Sequence, residues 1–133
     1  MNGAVPAELK LLGIAVVIGL VQLVWATAAA RREQDPKWVL GPQDEARPLG
    51  VIAARLDRAF RNFMETFPLF AAAVIVADLT GKLGGLTLWG SGLYVAARAL
   101  YAPLYASGMP VARTVVWTIG GIGLLLVVVA LFR

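Results

Sequence analysis

Four long apolar segments constrain this chain more than any other feature of its sequence. They cover about residues 7–30, 55–79, 86–106 and 110–132, and a helix needs roughly 20 mostly apolar residues to cross a bilayer. The segments are too continuous to be the alternating strands of a membrane β-barrel. The sequence therefore predicts an all-α integral membrane protein, a bundle of four transmembrane helices in one domain that spans residues 1–133 and is surrounded by the lipid bilayer.

The first segment also resembles a secretory signal. Lys10 precedes an apolar core that ends in ATAAA, a run of small residues typical of a cleavage site. The core of a secretory signal has about 7–15 apolar residues, fewer than this segment has. A membrane helix is therefore the favoured interpretation.

Basic residues predict the orientation in the membrane. Most of them lie in the polar connecting loop 31–54 and at the base of the second helix, and the positive-inside rule places this side in the cytoplasm and both termini outside. The net charge of +4 could indicate nucleic acid binding, but topology explains the clustering better, so no nucleic acid partner is expected. The cytoplasmic residues are Arg31, Arg32, Lys37, Arg47, Arg55, Arg58, Arg61 and Arg113; those outside are Lys10, Lys82 and Arg133.

The sequence contains neither cysteine nor histidine. This excludes disulfides, Cys/His catalysis and Ser-His-Asp triads within the chain, and it removes the usual ligands of zinc and iron. No metal site is expected, and a strong nucleophile would have to arrive with a bound ligand.

The second helix carries more charge than a topology signal requires. Its polar side chains follow the spacing i, i+3, i+4 and i+7, which puts them on one helical face opposite a stripe of phenylalanines. A basic flank with an internal ion pair to Glu65 is one interpretation. Ionisable groups inside a span cost roughly 2.5–3.5 kcal/mol each, however, and tend to be functional. The polar residues are Arg58, Arg61, Asn62 and Glu65, and the aromatic ones are Phe60, Phe63, Phe67 and Phe70.

Polar stripes continue on helices three and four. The third helix has the spacing i, i+4, i+7 and i+11 for Tyr94, Arg98, Tyr101 and Tyr105. An aromatic belt at the membrane surface explains a tyrosine near the loop but not an arginine well inside the span. On the fourth helix Arg113 shares a face with Trp117. The two residues either anchor the helix at the membrane surface or belong to a binding site.

Small and amide residues suggest how the helices contact each other. Gly13, Gly19, Gly120 and Gly123 predict close packing between helices. Gln22, inside the first helix, is either a bridge between helices or a minor polar contact.

Arginines from three helices point to an anionic ligand. The guanidinium group offers a fixed fork of donors that suits carboxylates, and a cluster of such groups would also favour an anionic nucleophile. Glutathione, with two carboxylates, one ammonium and one thiol, fits both requirements.

The stretch RAFRNFMETFPLF resembles the second-helix signature of the MAPEG family, the membrane-associated proteins of eicosanoid and glutathione metabolism. That signature is an Arg-Ala pair, an Asn four residues after the Arg, a Glu three residues further, and then Pro and Phe. The resemblance implies a MAPEG-like four-helix protomer of a bacterial-type member, assembled as a homotrimer. The matching residues are Arg58, Ala59, Asn62, Glu65, Pro68 and Phe70, with Arg98 and Tyr105 as a family pair on helix three.

The resemblance also implies a glutathione site between neighbouring subunits, near the cytoplasmic side. Arg113 falls near a fourth-helix arginine that is proposed to activate the thiol, and it is the candidate catalytic residue. Tyr101 stands where some members carry histidine, and Arg31 or Arg32 would supply an arginine from helix one. The other candidate glutathione contacts are Arg58, Arg61, Asn62, Glu65, Arg98 and Tyr105.

Three functions are compatible with these features. The first is a glutathione S-transferase or peroxidase in the bacterial inner membrane, which would add glutathione to lipophilic electrophiles or reduce lipid hydroperoxides. The second is a small four-helix multidrug or ion transporter, but the charge inside the third span is Arg98, which repels cations. The third is a non-catalytic MAPEG relative that binds glutathione without turnover.

Overall fold

The computed structural model describes residues 3–44 and 48–133, and within these ranges it is helical with no strand. The all-α prediction is confirmed. Arg47, which contributes to the predicted cytoplasmic charge, lies outside the described residues. The helices are α1 (Ala7–Arg31), α2 (Pro36–Leu40), α3 (Val51–Leu79), α4 (Gly85–Ser107) and α5 (Pro110–Ala130).

Two local structures differ from the sequence-based boundaries. The short helix α2 lies inside the predicted loop, with Pro36 in its first turn and the Asp35 side chain accepting a hydrogen bond from the Lys37 N–H at 3.0 Å. Helix α3 begins four residues before the predicted start at 55. The Glu33 carboxylate accepts the Gly50 N–H at 2.6 Å and so holds the chain where α3 begins.

Three of the long helices, α1, α3 and α5, have both the length and the mean hydropathy of a membrane span. Helix α4, with 23 residues, is long enough as well, but its tyrosines and Arg98 lower its hydropathy. Ten of its residues are buried, more than in any other described helix, so its polar side chains face protein. The bundle therefore encloses the helix that carries an arginine well inside its length, as expected for polar groups that would be costly in lipid.

Glycines permit the closest contact in the bundle, between the antiparallel helices α4 and α5. A Cβ added to Gly90 would lie 2.5 Å from the carbonyl oxygen of Gly123, and one added to Gly123 would lie 2.5 Å from that of Gly90. Gly19 likewise lies against the ring of Phe63, and Gly120 against Ala97. Close packing is thus confirmed for Gly19, Gly120 and Gly123. Within the protomer the packing prediction is wrong for Gly13, where an added Cβ would meet no atom within 4 Å.

The aromatic side of α3 packs inward. Phe63 and Phe70 are buried, and the ring of Phe70 stacks on that of Tyr94 with 4.1 Å between centroids. Tyr94 and Phe70 join Val127 of α5 and Ala15 of α1 in a core cluster to which all four long helices contribute. Because α3 buries Phe63 and Phe70, its polar stripe lies toward α4 and the outer surface.

Candidate functional site

Polar side chains of α3 and α4 pair along most of the interface between these two antiparallel helices. Thr66 Oγ1 lies 2.9 Å from the hydroxyl of Tyr94, and one turn away Arg98 donates to Asn62 Oδ1 at 2.9 Å. A further turn along, Arg58 Nε donates to the Tyr105 hydroxyl at 3.0 Å. Arg58 and Asn62 of the predicted α3 stripe therefore face the predicted stripe of α4. Arg55 adds a hydrogen bond of 3.2 Å to the carbonyl of Ala106.

Arg98 is almost completely enclosed, with 2% of its surface exposed. Its guanidinium carbon lies 4.3 Å from the ring centroid of Tyr101 and 5.5 Å from that of Phe63, positions that allow cation–π attraction. Only one of its nitrogens is hydrogen bonded; Nε and the second terminal nitrogen have no partner among the described residues. Since removing a charge from water is expensive, an arginine left with free donors indicates a role beyond packing.

Tyr105 brings arginines of two other helices together. Its hydroxyl accepts from Arg58 of α3, while the guanidinium carbon of Arg113, from α5, lies 4.5 Å from its ring centroid. The rings of Tyr101 and Tyr105 are 5.7 Å apart. Guanidinium groups from three helices thus surround one pair of tyrosines.

A cavity of about 230 Å³ opens beside this pair, and we call it the tyrosine–arginine cleft. Its described lining contains an arginine, an amide and hydroxyls but no carboxylate. Arg58, Arg98 and the carboxylate of Glu65 lie near enough to act on these groups, so the cleft and its surroundings carry three arginines against one carboxylate. This excess of positive charge and of hydrogen-bond donors favours an anionic ligand. The lining residues are Asn62, Tyr101, Tyr105, Arg113, Thr114 and Trp117.

Five of the sequence-based candidates do not line the cleft: Arg58 and Arg98 contact its tyrosines, and the other three lie further from it. Arg61 and Glu65 are exposed on the outer part of α3, and Arg61 forms a 2.8 Å ion pair with Asp57 rather than with Glu65. Arg31 lines a separate cavity between α1 and α3, which also contains Asp57 and Phe60. The alternative, Arg32, lines yet another cavity.

Sequence reasoning missed one member of the polar interface, Thr66. It lies four residues after Asn62, so the spacing that identified the rest of the stripe would also have included it. The residues that the structure does bring together are Arg58, Asn62, Arg98, Tyr101, Tyr105 and Arg113.

Replacing Asn62 with leucine is expected to lower the free energy of unfolding by about 1–3 kcal/mol, because a third nitrogen of buried Arg98 would lose its partner. The double variant Asn62→Leu/Arg98→Leu should be more stable than Asn62→Leu alone, since it removes the unpaired charge as well. Unfolding in mixed micelles titrated with sodium dodecyl sulfate measures both differences. A double variant less stable than Asn62→Leu would show that the guanidinium is held mainly by the aromatic rings.

Comparison with known proteins identifies one family. The model of the MAPEG family matches residues 11–133, from the second turn of α1 to the last residue, and this range includes the whole tyrosine–arginine cleft. Neither a search of curated proteins nor a search of solved structures gave a match.

Proposed function

The chain belongs to the MAPEG family, and on that premise we propose that it is a membrane-bound, glutathione-dependent enzyme of the S-transferase or peroxidase type. The observation that carries this proposal is the convergence of Arg58, Arg98 and Arg113 on the Tyr101–Tyr105 pair beside a cleft without carboxylates. MAPEG membership supports a glutathione-related membrane protein. The enzymatic activity, the binding of glutathione in the cleft and the assembly into a trimer are our proposals and go beyond family membership.

Glutathione suits the chemistry of the cleft. Its carboxylates would accept hydrogen bonds from Arg113, which lines the cleft, and from Arg58, which lies beside Tyr105. Arg98 is enclosed in the protein, so it would attract the ligand through its charge. The amide of Asn62 and the hydroxyl of Thr114 could bind the peptide groups. A ligand with one anionic group would leave part of this donor set unused.

Arg113 is the candidate catalytic residue, because it borders the cleft and carries the charge that a thiolate requires. Its guanidinium group, held over Tyr105, would favour the ionised sulfur over the thiol and orient it. Bound glutathione would supply the nucleophilic sulfur, which forms a bond to carbon of a lipophilic electrophile and displaces a leaving group such as chloride. In the peroxidase reaction, two glutathione molecules would be oxidised to their disulfide while a hydroperoxide is reduced to alcohol and water. The lipophilic substrate would reach the cleft from the bilayer.

We assign the exposed candidates on α3 to a homotrimer in which glutathione lies between neighbouring subunits. Arg61 is 72% exposed in its side chain, and nearby on the same helix Met64 and Leu69 are 45% and 61% exposed. A face that combines exposed apolar side chains with Glu65 and Arg61 suits contact with a second copy better than contact with lipid. In such an assembly Arg31, Arg61 and Glu65 would complete the glutathione site from the adjacent subunit.

The proposed location is the bacterial inner membrane, with the cleft near the cytoplasmic face and both termini outside. Arg55 and Arg58 lie at the same end of the bundle as Arg113, whereas Lys82 donates to the carbonyl of Arg133 at the opposite end. This asymmetry supports the positive-inside orientation. The Ala-, Gly- and Val-rich composition favours a bacterial source.

Glutathione affinity tests the proposed site directly. In Arg58→Ala, the dissociation constant measured by calorimetry on the purified protein is expected to rise about tenfold or more, because one charge-assisted hydrogen bond is lost. Glu65→Ala should also weaken binding if the subunit interface completes the site. Lys10→Ala, which removes an exposed charge at the far end of the bundle, is the matched control and should bind like the wild type. Unchanged affinity in both Arg58→Ala and Glu65→Ala would contradict the site.

Turnover separates an enzyme from a non-catalytic relative. Wild-type protein that binds glutathione should also conjugate it to 1-chloro-2,4-dinitrobenzene. Binding without conjugation of this compound, and without reduction of a lipid hydroperoxide, would assign the chain to the non-catalytic members. Binding of organic cations instead of glutathione would favour the transporter hypothesis.

A further inference from the structure

Asn62 connects the tyrosine–arginine cleft with the buried charge of Arg98. Its side chain lines the cleft, and its Oδ1 accepts the 2.9 Å hydrogen bond from Nη1 of Arg98. Arg98 is not part of the lining, since 2% of its surface is exposed and its free nitrogens, Nε and Nη2, are sealed inside the protein. Arg98 can therefore influence the hydrogen bonds of a bound molecule only through a neighbour, and Asn62 is the side chain to which it donates.

The guanidinium group determines which end of the Asn62 amide it meets. Arginine has N–H donors and no acceptor, so the amide atom beside Nη1 must be the oxygen. If the amide turned over, its NH₂ group would face the guanidinium N–H, and a charge-assisted hydrogen bond would be replaced by two opposed donors. One orientation of the amide is therefore strongly preferred.

The guanidinium group is itself held in place by aromatic rings. The ring centroid of Tyr101 lies 4.3 Å from its central carbon, and that of Phe63 lies 5.5 Å from it. Phe63 is 1% exposed and lies against Gly19 of α1, where an added Cβ would come within 2.7 Å of the ring. Arg98 cannot turn away from Asn62 without disturbing the packing of α1, α3 and α4, so it is a fixed anchor for the amide.

The other end of the Asn62 amide is open to the cleft. Nδ2 has no hydrogen-bond partner among the described residues, yet it is not one of the buried polar atoms that lack a partner. It therefore has accessible surface, on a side chain that lines the cleft. At this point the cleft offers N–H donors and no acceptor.

We propose that Arg98 is a positioning residue, which fixes the Asn62 amide so that it presents N–H donors, and no acceptor, to the tyrosine–arginine cleft. The ligand group at Asn62 is then an acceptor, a carboxylate or a peptide carbonyl, and not an ammonium or a peptide N–H. A glutamine in place of Arg98 could donate or accept and would leave both orientations open, which accounts for a buried cation where a neutral side chain would cost less. This inference rests on the proposed glutathione function and extends it by assigning the chemical class of one contact.

Calorimetry of glutathione binding to the full-length protein tests what Asn62 presents. Asn62→Asp keeps the size and an oxygen for Arg98, but it replaces Nδ2 with a second oxygen. With a ligand acceptor at this point, Asn62→Asp should raise the dissociation constant by more than the roughly tenfold expected of Asn62→Leu, because a lost hydrogen bond becomes a repulsion. An Asn62→Asp affinity equal to or above that of the wild type would show that the ligand donates here, and it would overturn the proposal even if Asn62→Leu does not fold.

A double-mutant cycle tests whether Arg98 acts through Asn62. Arg98→Met removes the charge and the donors, and alone it should weaken glutathione binding about tenfold. In the Asn62→Leu background the same change should have a several-fold smaller effect, since only the attraction between charges remains to be lost. Arg98→Lys, which still offers donors only, should retain more affinity than Arg98→Met. Equal losses in both backgrounds would assign Arg98 to charge alone and would overturn the proposal.

The orientation of the amide can also be measured without a ligand. The sequence has two asparagines, Asn2 and Asn62, so protein labelled with nitrogen-15 in asparagine gives two pairs of side-chain amide signals, and Asn62→Asp identifies the pair of Asn62. This pair should be single and sharp in the wild type and in Arg98→Lys. In Arg98→Met it should broaden or double, because the amide then turns between two orientations, and an unchanged line shape would overturn the proposal. Such broadening without glutathione binding to the wild type would support the positioning by Arg98 and contradict the proposed function.

Discussion

Replacing Gly123 with alanine is expected to lower the free energy of unfolding by about 3 kcal/mol, the upper part of the range for inserting a methyl group into a packed interior. The added Cβ would lie 2.5 Å from the carbonyl oxygen of Gly90 and 2.7 Å from the backbone nitrogen of Tyr94. Both neighbours are backbone atoms, so no change of rotamer can make room. Helices α4 and α5 would have to separate, and their contact would be lost along several turns.

The same helix provides the matched control. Gly121 lies two residues before Gly123, and a Cβ added there would meet no atom within 4 Å. Gly121→Ala should therefore leave the stability unchanged or raise it slightly, because alanine loses less backbone entropy in a helix than glycine does. Unfolding by sodium dodecyl sulfate in mixed micelles compares the two variants. Equal stability of Gly123→Ala and Gly121→Ala would contradict the close approach of α4 and α5.

The difference between these glycines also shows what the sequence could predict of the fold. The four long helices follow from the length of their apolar segments, and this needs no tertiary information. Tertiary information is needed, however, to know which way a glycine faces, because α1 and α5 are apolar on nearly every side. Gly13 and Gly19 look equivalent in the sequence, but only Gly19 lies against another helix.

Local boundaries were missed for a related reason. The start of α3 depends on the contact between Glu33 and Gly50, which are 17 residues apart in the chain. No local pattern reveals such a contact. The turn of helix at Pro36–Leu40 did have a local signal, the Asp35-Pro36 pair at its start, although residues 31–54 were predicted only as a polar loop.

The site could be predicted as faces of helices, but not as a complete cavity. Spacing placed Arg58, Asn62 and Glu65 on one face of α3, and that face spans more than one environment in the bundle. Asn62 lies in the cleft, whereas Glu65 is exposed. A helical period of 3.6 residues cannot show where on such a face a neighbouring helix ends, and it carries no information about contacts between subunits.

Replacing Arg113 with alanine is expected to reduce conjugation of 1-chloro-2,4-dinitrobenzene at neutral pH by about 100-fold. This is the typical effect of removing one group that stabilises an anion at an active site. Glutathione should still bind, because Arg58 and Arg98 remain. Without the guanidinium group over Tyr105, the bound thiol should ionise at a higher pH, closer to the value of about 8.5 typical of a free cysteine thiol. The activity of Arg113→Ala should therefore recover as the pH rises, whereas that of the wild type should change less.

The pH profile distinguishes this charge effect from a loss of positioning. Arg113→Lys retains the charge, so it should keep the wild-type pH dependence even if its rate falls through loss of the planar fork of donors. Lys10→Ala, at the far end of the bundle, should match the wild type in both rate and profile. Ultraviolet absorbance of the bound thiolate gives the same ionisation without turnover. An Arg113→Ala rate that is lowered equally at every pH would mean that Arg113 orients glutathione but does not stabilise its ionised sulfur.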